Sequence, residues 1–367
     1  MGEGDLGVIL GGNCVLATIY DVAKQAGVSA KTVSRVLNGD GPVGAATRES
    51  VELAMRDLGF VRSNAARMMR AQKSGLVGLI TGAISAKNQT PYKQGLPDLF
   101  IVQGIQAGMA QAGMTMMIAD TTGRQDRVPH LIDTFISHRV EGLIYVAEFH
   151  QEVSLPPVPE DTPMVLVNCF DQRGTPAVLP DDRRGQRDLV TRLITAGHRR
   201  IAYLALRPDM VAGQLRPAGY RDALSAAGIA IDPALLAHCA FDEPVIGPQL
   251  LWDLINDMMG LPNPPTVICC GNDQMAMMVY GILRSMGRKM PDDISVAGYD
   301  NYQVIAETLF PPLTTVDLPY SAMGLRAAQR LMAMISGESR DDRSPTLVEG
   351  PVHWRNSVTE RALTNAL

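Results

Sequence analysis

Through residues 18–58 the apolar positions recur every three or four residues, the interval of a helix with one buried face, and the pattern breaks at small turns. The spacing predicts a first helix over about 19–26 that ends at Gly27. Ser29 then caps a second over about 30–37, which stops at Asn38-Gly39, and a third runs over about 45–58 to Gly59. Two short helices joined through a glycine turn match the helix-turn-helix pattern. Ile19, Val22, Ala23, Val28, Val33, Val36 and Leu37 can form one small core, marginal alone because a small domain buries little surface.

After Lys73 the period changes. Apolar runs of strand length, at 76–81, 114–119, 141–147, 164–169, 200–206, 266–270 and 294–299, alternate with helical stretches such as 98–113, 128–140, 185–198, 218–228 and 273–287. Continuous apolar strands alternating with amphipathic helices predict parallel sheets covered on both faces. The strands outnumber one small sheet, and the proline-rich stretch 155–163 with the loop 171–180 offers a break. Two similar α/β lobes with a cleft between them follow. Ligands of such sheets sit at the carboxyl ends of the strands, so polar residues there become site candidates.

Composition narrows the picture. At 367 residues, 46% hydrophobic and 19% charged, the chain is globular and long enough for two or three domains. Its net charge of −5 excludes a general polyanion binder, but the distribution is uneven. Between 17 and 73 stand nine basic and five acidic residues, a net of +4, which leaves −9 for the rest. A basic head on an acidic body suits nucleic-acid contact by the head alone. The five cysteines (Cys14, Cys169, Cys239, Cys269, Cys270) form no CxxC pair and are read as free thiols of a reducing cytoplasm, with Cys269 and Cys270 in the core. The 20 methionines group on apolar faces and are read as core filling, not metal ligation.

The opening stretch 1–17 carries Glu3 and Asp5 where a secretory signal needs basic residues, so it is read as a disordered extension or a start-site artefact. No apolar run reaches the roughly 18 residues of a membrane span, and a soluble, cytoplasmic protein without membrane partners is expected. Nor does the chain contain GxSxG, HExxH, GxxxxGK[ST] or CxxC, so no enzyme, catalytic residue, metal or cofactor is expected. Among six scattered histidines, His198 fits a turn before a strand and His130 and His138 fit a helix surface or cap. His150 ends a strand and is placed at the surface rather than in the cleft.

Several patterns resemble those of the lactose/galactose repressor family of bacterial transcription regulators. They are TIYDVAKQAGVSAKTVSRVLNG, SNAARMM, GHRRIAYL, RPAGYRDAL, NDQMAMM, PDDISVAGYDN, PPLTTV and WRNS, running in order from about residue 17 to 357. The resemblance implies an all-α helix-turn-helix DNA-binding headpiece followed by a two-lobed α/β effector domain like that of periplasmic binding proteins, its parallel sheets covered by helices. The implied layout is a disordered extension over 1–16, the head over 17–62, a hinge helix over 63–73, and an effector-binding and dimerisation domain over 74–367. Its N-lobe would take about 74–173 and 302–336, and its C-lobe about 174–301 and 337–360.

In a helix-turn-helix the second helix enters the major groove and its first residues meet base edges. Here these are Ser29, Ala30, Lys31 and Thr32, followed by Ser34 and Arg35. Lys31 and Arg35 can donate to guanine O6 and N7, serine and threonine serve base or phosphate, and Ala30 offers only a methyl contact. The resemblance likewise puts base reading at Ala30, Lys31 and Arg35, with phosphate contacts from Thr18, Tyr20, Ser34, Asn38 and Thr47. It makes 63–71 a hinge that folds on DNA, lies in the minor groove and wedges Met69 between base pairs, with Asn64, Ala66 and Arg67 at other hinge positions. Two departures stand out: Met69 replaces a leucine, and Arg62 stands where proline is usual.

The same resemblance carries Arg216 over as a clamp on ligand hydroxyls, Asp300 as an acceptor, Asn272 as donor and acceptor, Asn168 as a strand-end polar group and Phe241 as a stacking surface. Each has a plainer structural alternative: an aspartate at a strand end can be a turn residue, and Asn272-Asp273 can simply cap a helix. Tyr92, in the long stretch 85–98, can stack at the cleft mouth, contact a dimer partner or sit on a flap. Together these imply a ligand-controlled repressor of a carbohydrate-utilisation operon, binding a pseudo-palindromic operator in double-stranded DNA as a homodimer. The alternatives are a nucleobase effector or a non-regulatory sugar carrier, which would have no use for residues 18–71. The tail after Trp354 is too short for a coiled coil of about 3–4 heptads, so a dimer rather than a tetramer is expected.

Overall fold

The structure, a computed structural model, describes residues 17–60, 73–82, 98–240, 243, 246–338 and 342–361. It consists of two compact units, 1–74 and 75–367. The first holds α1 (Ile19–Gln25), α2 (Ala30–Asn38) and α3 (Ala45–Asp57). Local chemistry sets their ends. At α1 the Thr18 N–H donates to Asp21 Oδ2 (2.8 Å) and the Asp21 N–H donates to Thr18 Oγ1 (3.4 Å), a reciprocal cap. Ser29 Oγ accepts the Thr32 N–H at 3.1 Å and opens α2, and Gly39, at φ 69°, closes it in a left-handed conformation that glycine adopts without strain. Val22, Val33 and Val51, one from each helix and all fully buried, form the centre of a small core.

In the second unit, β1 (Leu76–Thr81), β2 (Thr115–Asp120), β3 (Leu143–Glu152), β4 (Met164–Phe170) and β5 (Ala177–Pro180) belong to one six-stranded sheet. A late strand, β11 (Thr346–Val348), completes it, in the order β11-β5-β4-β3-β1-β2, parallel throughout. Alternate side chains of each strand enter opposite cores, which is why the strands read as unbroken apolar runs. Leu79, Ile144 and Val167 pack on one face under α4 (Asp98–Gln111) and α11 (Tyr320–Ser336). Ile80, Tyr145 and Leu166 pack on the other under α5 (Val128–Ser137).

The other sheet is built from β6 (Ile201–Ala205), β7 (Leu236–His238), β8 (Val267–Cys270), β9 (Ser295–Asp300), β10 (Thr314–Asp317) and β12 (Val352–His353). Its order is β12-β10-β9-β8-β6-β7. All neighbours are parallel except β12, which runs antiparallel to β10 at the edge. Helices α6 (Asp182–Thr195) and α7 (Val211–Ala226) cover one face, and α8 (Gly247–Met259) and α9 (Asp273–Ser285) the other. His198 is buried just before β6, with Nδ1 2.8 Å from Thr266 Oγ1 and Nε2 3.0 Å from the Thr359 carbonyl. Burial pushes its pKa down to about 4, so the neutral ring staples the late segment to this lobe.

The lobe boundaries expected at 173/174, 301/302 and 336/337 lie elsewhere. The chain passes between the sheets from Pro180 to Asp182, from Asp317 to Tyr320 and from Val348 to Val352. The reason is the shortness of β5, β10 and β11, of four, four and three residues. No period is visible over such lengths, and only hydrogen-bonded pairing assigns them to a sheet. A second difference is α7, which begins seven residues before the predicted 218 and contains Pro217. Burial of Ala212, Tyr220, Ala223 and Leu224 on that helix offsets the roughly 3 kcal/mol a proline costs inside a helix.

Helices α4 and α11 touch backbone to backbone. A Cβ on Gly104 would lie 2.1 Å from the Ser321 carbonyl oxygen, and one on Gly324 2.1 Å from that of Ile101. The expected outcome for Gly104→Ala is a loss of about 1–3 kcal/mol, the range for forcing a methyl into a packed interface, read from urea unfolding. An unchanged midpoint would show that this crossing is not closely packed.

Candidate functional site

In the first unit, α2 buries Val33 and Val36 and turns the residues between them outward. Lys31 and Arg35 are both exposed and one turn apart, so they share a face. Ala30, Thr32, Ser34 and Asn38 are half-buried around them, and Asn38 Nδ2 donates to Ser34 Oγ at 3.4 Å. Ser29, besides capping, has its hydroxyl 2.9 Å from that of Thr32. Tyr20 is 73% exposed on α1, Thr18 is exposed at its cap, and Thr47 is half-buried on α3. On α2, Lys31 and Arg35 with the nearby hydroxyl and amide groups can donate to acceptor oxygens. Asn64, Ala66, Arg67 and Met69 lie outside the described residues.

In the second unit a cleft of about 580 Å³ opens at the carboxyl ends of both sheets. At its floor is Arg216, on α7 and 4% exposed. Its Nε donates to Asp182 Oδ1 (2.7 Å), and its Nη1 to the Gly271 carbonyl (2.5 Å) and to Asp300 Oδ1 (3.4 Å). Its guanidinium lies 3.7 Å over the Tyr299 ring centre. Burial alone would push the Asp182 carboxyl up, but Arg216 and a hydrogen bond from His150 hold it below the usual carboxylate range. Asp300 has only one part of Arg216 to offset its burial, and the neighbouring carboxyl of Asp273 opposes its ionisation, so its pKa is well above the usual value. Burial raises Asp273 to about 7, against hydrogen bonds from the Thr315 hydroxyl (2.7 Å) and the Tyr302 N–H (2.8 Å).

Of the expected ligand residues, the structure brings Arg216, Asp300, Asn168 and Asn272 to this one cleft. Asn168 Nδ2 donates to the Ala147 carbonyl (3.3 Å), and Asn272 Oδ1 accepts the Met275 N–H (2.8 Å), so Asn272 caps α9 while its amide nitrogen stays available. Asn168 (φ 59°), Asp300 (φ 117°) and Asn301 (φ 50°) hold a left-handed backbone that side chains disfavour, a strain that concentrates at functional sites. Tyr92 and Phe241 lie outside the described residues. Among the described residues, Phe100 and Phe149, 45% and 43% exposed, supply apolar surface at the cleft.

The expectation for His150 is corrected. It is 7% exposed, lines the cleft, and its Nδ1 sits 2.9 Å from Asp182 Oδ2. β3 runs on to Glu152 and carries it inward, beyond the apolar run that ends at Ala147. Asp182 and Asp273 were not singled out as ligand-site residues. The acidic pair Asp181-Asp182 just after an apolar strand was a visible signal; the burial of Asp273 behind Asn272 was not. Among the described residues no group of three or more His, Cys, Asp or Glu side chains could hold a metal, and no helix is long and apolar enough to cross a membrane. Cys169, Cys239, Cys269 and Cys270 are all buried.

Residues 18–63 match the profile of bacterial regulatory proteins of the lacI family, and residues 190–358 that of a periplasmic binding protein-like domain. Among curated proteins, the transcriptional regulator CelR of Thermobifida fusca is 33% identical over 88% of this chain and 93% of its own length. The ribose operon repressor of Escherichia coli is 30% identical over 91% of this chain and 99% of its own. Among solved structures, the lac repressor dimer bound to operator and an anti-inducer aligns over 94% of this chain and 99% of that one, at 26% identity and a TM-score of 0.73. A complex of CelR with cellobiose aligns over 93% and 99%, at 30% identity and 0.60.

Both side chains of the Arg216–Asp182 pair are almost wholly buried, so removing one partner leaves the other a buried charge short of its main partner. Arg216→Met is expected to cost about 3–5 kcal/mol in thermal or urea unfolding, and adding Asp182→Asn to the same chain to recover part of it. Losses that simply add would show that the two side chains are not coupled.

Proposed function

The chain belongs to the lacI family of bacterial regulatory proteins and is a DNA-binding transcriptional regulator, and we propose that it is a repressor of a carbohydrate-utilisation operon whose operator affinity is set by a sugar. The observation that carries the reading is the convergence of Arg216, Asp300, Asn168 and Asn272 on one cleft, a set that both donates to and accepts from hydroxyls, behind a head of this family. The cellobiose complex of CelR and the name of the ribose operon repressor support a saccharide. The protein works in the cytoplasm and catalyses nothing. Ligand shifts the lobes and thereby the presentation of the heads, a coupling typically worth about 1–3 kcal/mol.

In this reading Ala30, Lys31 and Arg35 meet base edges. Ser29, Thr32, Ser34, Thr18, Tyr20, Asn38 and Thr47 hold the backbone, and Asn64, Ala66, Arg67 and Met69 form the minor-groove hinge. Gel-shift titration tests the head. Arg35→Ala is expected to lose about 1–3 kcal/mol of discrimination between operator and random duplex, and binding should weaken as salt rises. If the variant discriminates as the wild type does, α2 does not read the groove through Arg35.

A two-fold operator requires a two-fold protein. The C-lobe offers an apolar face for a second copy. Met277 is 46% exposed and Phe310 81%, and Arg284, two turns along α9 from Met277, bonds the Phe310 carbonyl. Trp252, Met278 and Ile282 line a groove alongside. The lac repressor, a structural relative, is a dimer. The double variant Met277→Glu, Phe310→Glu is expected to sediment as a monomer with its fold intact; an unchanged dimer would put the interface elsewhere.

A further inference from the structure

The open hydrogen-bonding groups of the cleft sort into donors and acceptors once their internal bonds are assigned, and the sorting limits what can bind. Asp182 has Arg216 on one oxygen (2.7 Å) and His150 on the other (2.9 Å). As a carboxylate it accepts from both. The proton of a neutral His150 ring therefore sits on Nδ1, and Nε2, without a hydrogen-bond partner among the described residues, is an acceptor at the cleft. Asn168 donates its amide to the Ala147 carbonyl, which leaves Oδ1. Asp300, whose Oδ1 already accepts from Arg216 and whose pKa burial raises, presents a carboxyl able to donate as well as accept. The nitrogen donors are Arg216 Nη2 and Asn272 Nδ2. Charge leans the same way: Asp317 lines the cleft together with the ionised Asp182, opposite a guanidinium that is already engaged on two of its nitrogens.

We propose that the effector carries no phosphate or carboxylate, and that His150 reads one of its hydroxyls as a hydrogen-bond donor. This rests on the reading of the cleft as the effector site and narrows the ligand class within it. An anionic group is acceptor only. It would leave buried acceptors unpaired and add negative charge among carboxylates, with one edge of Arg216 in return. A hydroxyl donates and accepts at once, so an uncharged polyol satisfies both sets. His150 stands on β3 of the N-lobe, whereas Asp182 and Arg216 stand on α6 and α7 of the C-lobe. A ligand bound to His150 and Arg216 therefore bridges the lobes through a hydrogen-bonded relay.

Isothermal titration of the full chain with matched pairs tests this: cellobiose and its 6′-phosphate, ribose and its 5-phosphate, adenosine and its 5′-monophosphate. In whichever pair binds, the uncharged member is expected to bind tighter by roughly ten-fold or more. A phosphorylated member that binds as tightly overturns the proposal and leaves the sugar reading standing. Binding by the nucleoside pair alone overturns the sugar reading, and the charge preference is then judged on that pair. His150→Phe, which removes Nε2, is expected to weaken the uncharged ligand by roughly ten-fold, and His150→Gln, which restores an acceptor, to recover part of it. Equal affinity for wild type and a folded His150→Phe variant, or a loss that glutamine does not repair, removes His150 from recognition.

Discussion

The second unit is organised around one buried guanidinium. Taking a charge such as Arg216 out of water costs several kcal/mol unless every donor finds an acceptor, and its acceptors come from separate elements. Asp182 opens α6 directly after the first passage between lobes, Gly271 follows β8, and Asp300 ends β9. One side chain thus holds the ends of two strands and a crossover in register. Room for the group behind it depends on glycine: a Cβ on Gly298 would lie 2.2 Å from Asp273 Oδ1.

That arrangement leaves more carboxyl groups than one cation can satisfy. Asp182, which is closer to Arg216 than Asp300 is, stays ionised, while burial raises the pKa of Asp273 and Asp300 and the Asp273 carboxyl raises that of Asp300 further. The imbalance is not spread through the molecule but sits where the backbone is also strained, at Asn168, Asp300 and Asn301. Backbone strain and perturbed carboxyls together are features that concentrate at functional sites, and they support the proposed reading of the cleft. The cross-lobe contact of His150 with Asp182 puts this cluster where lobe movement would be felt.

Much of this was legible beforehand. The long apolar runs announced β1, β3, β4, β6, β8 and β9 because strands buried on both faces need side chains of one kind at every position. The head was legible because its caps are local: Ser29, Gly27 and Gly39 act within a few residues of themselves. Arg216, Asp300, Asn168 and Asn272 could be named because the resemblance, not the pattern, pointed to them. His150 was placed at the surface because the apolar run stops three residues before it, and nothing local says that β3 continues into the cleft.

The sequence alone therefore determined what depends on near neighbours: helix ends, the faces of strands, the uneven charge and the family motifs. Tertiary structure decided what depends on distant partners. Strands of three or four residues have no period of their own, so their sheet is chosen by the backbone they pair with. Which carboxyl keeps its charge is likewise a matter of distance to Arg216, and Asp182 and Asp300 lie 34 and 84 residues from it along the chain. Electrostatics acts through space, and spacing along the chain does not report it.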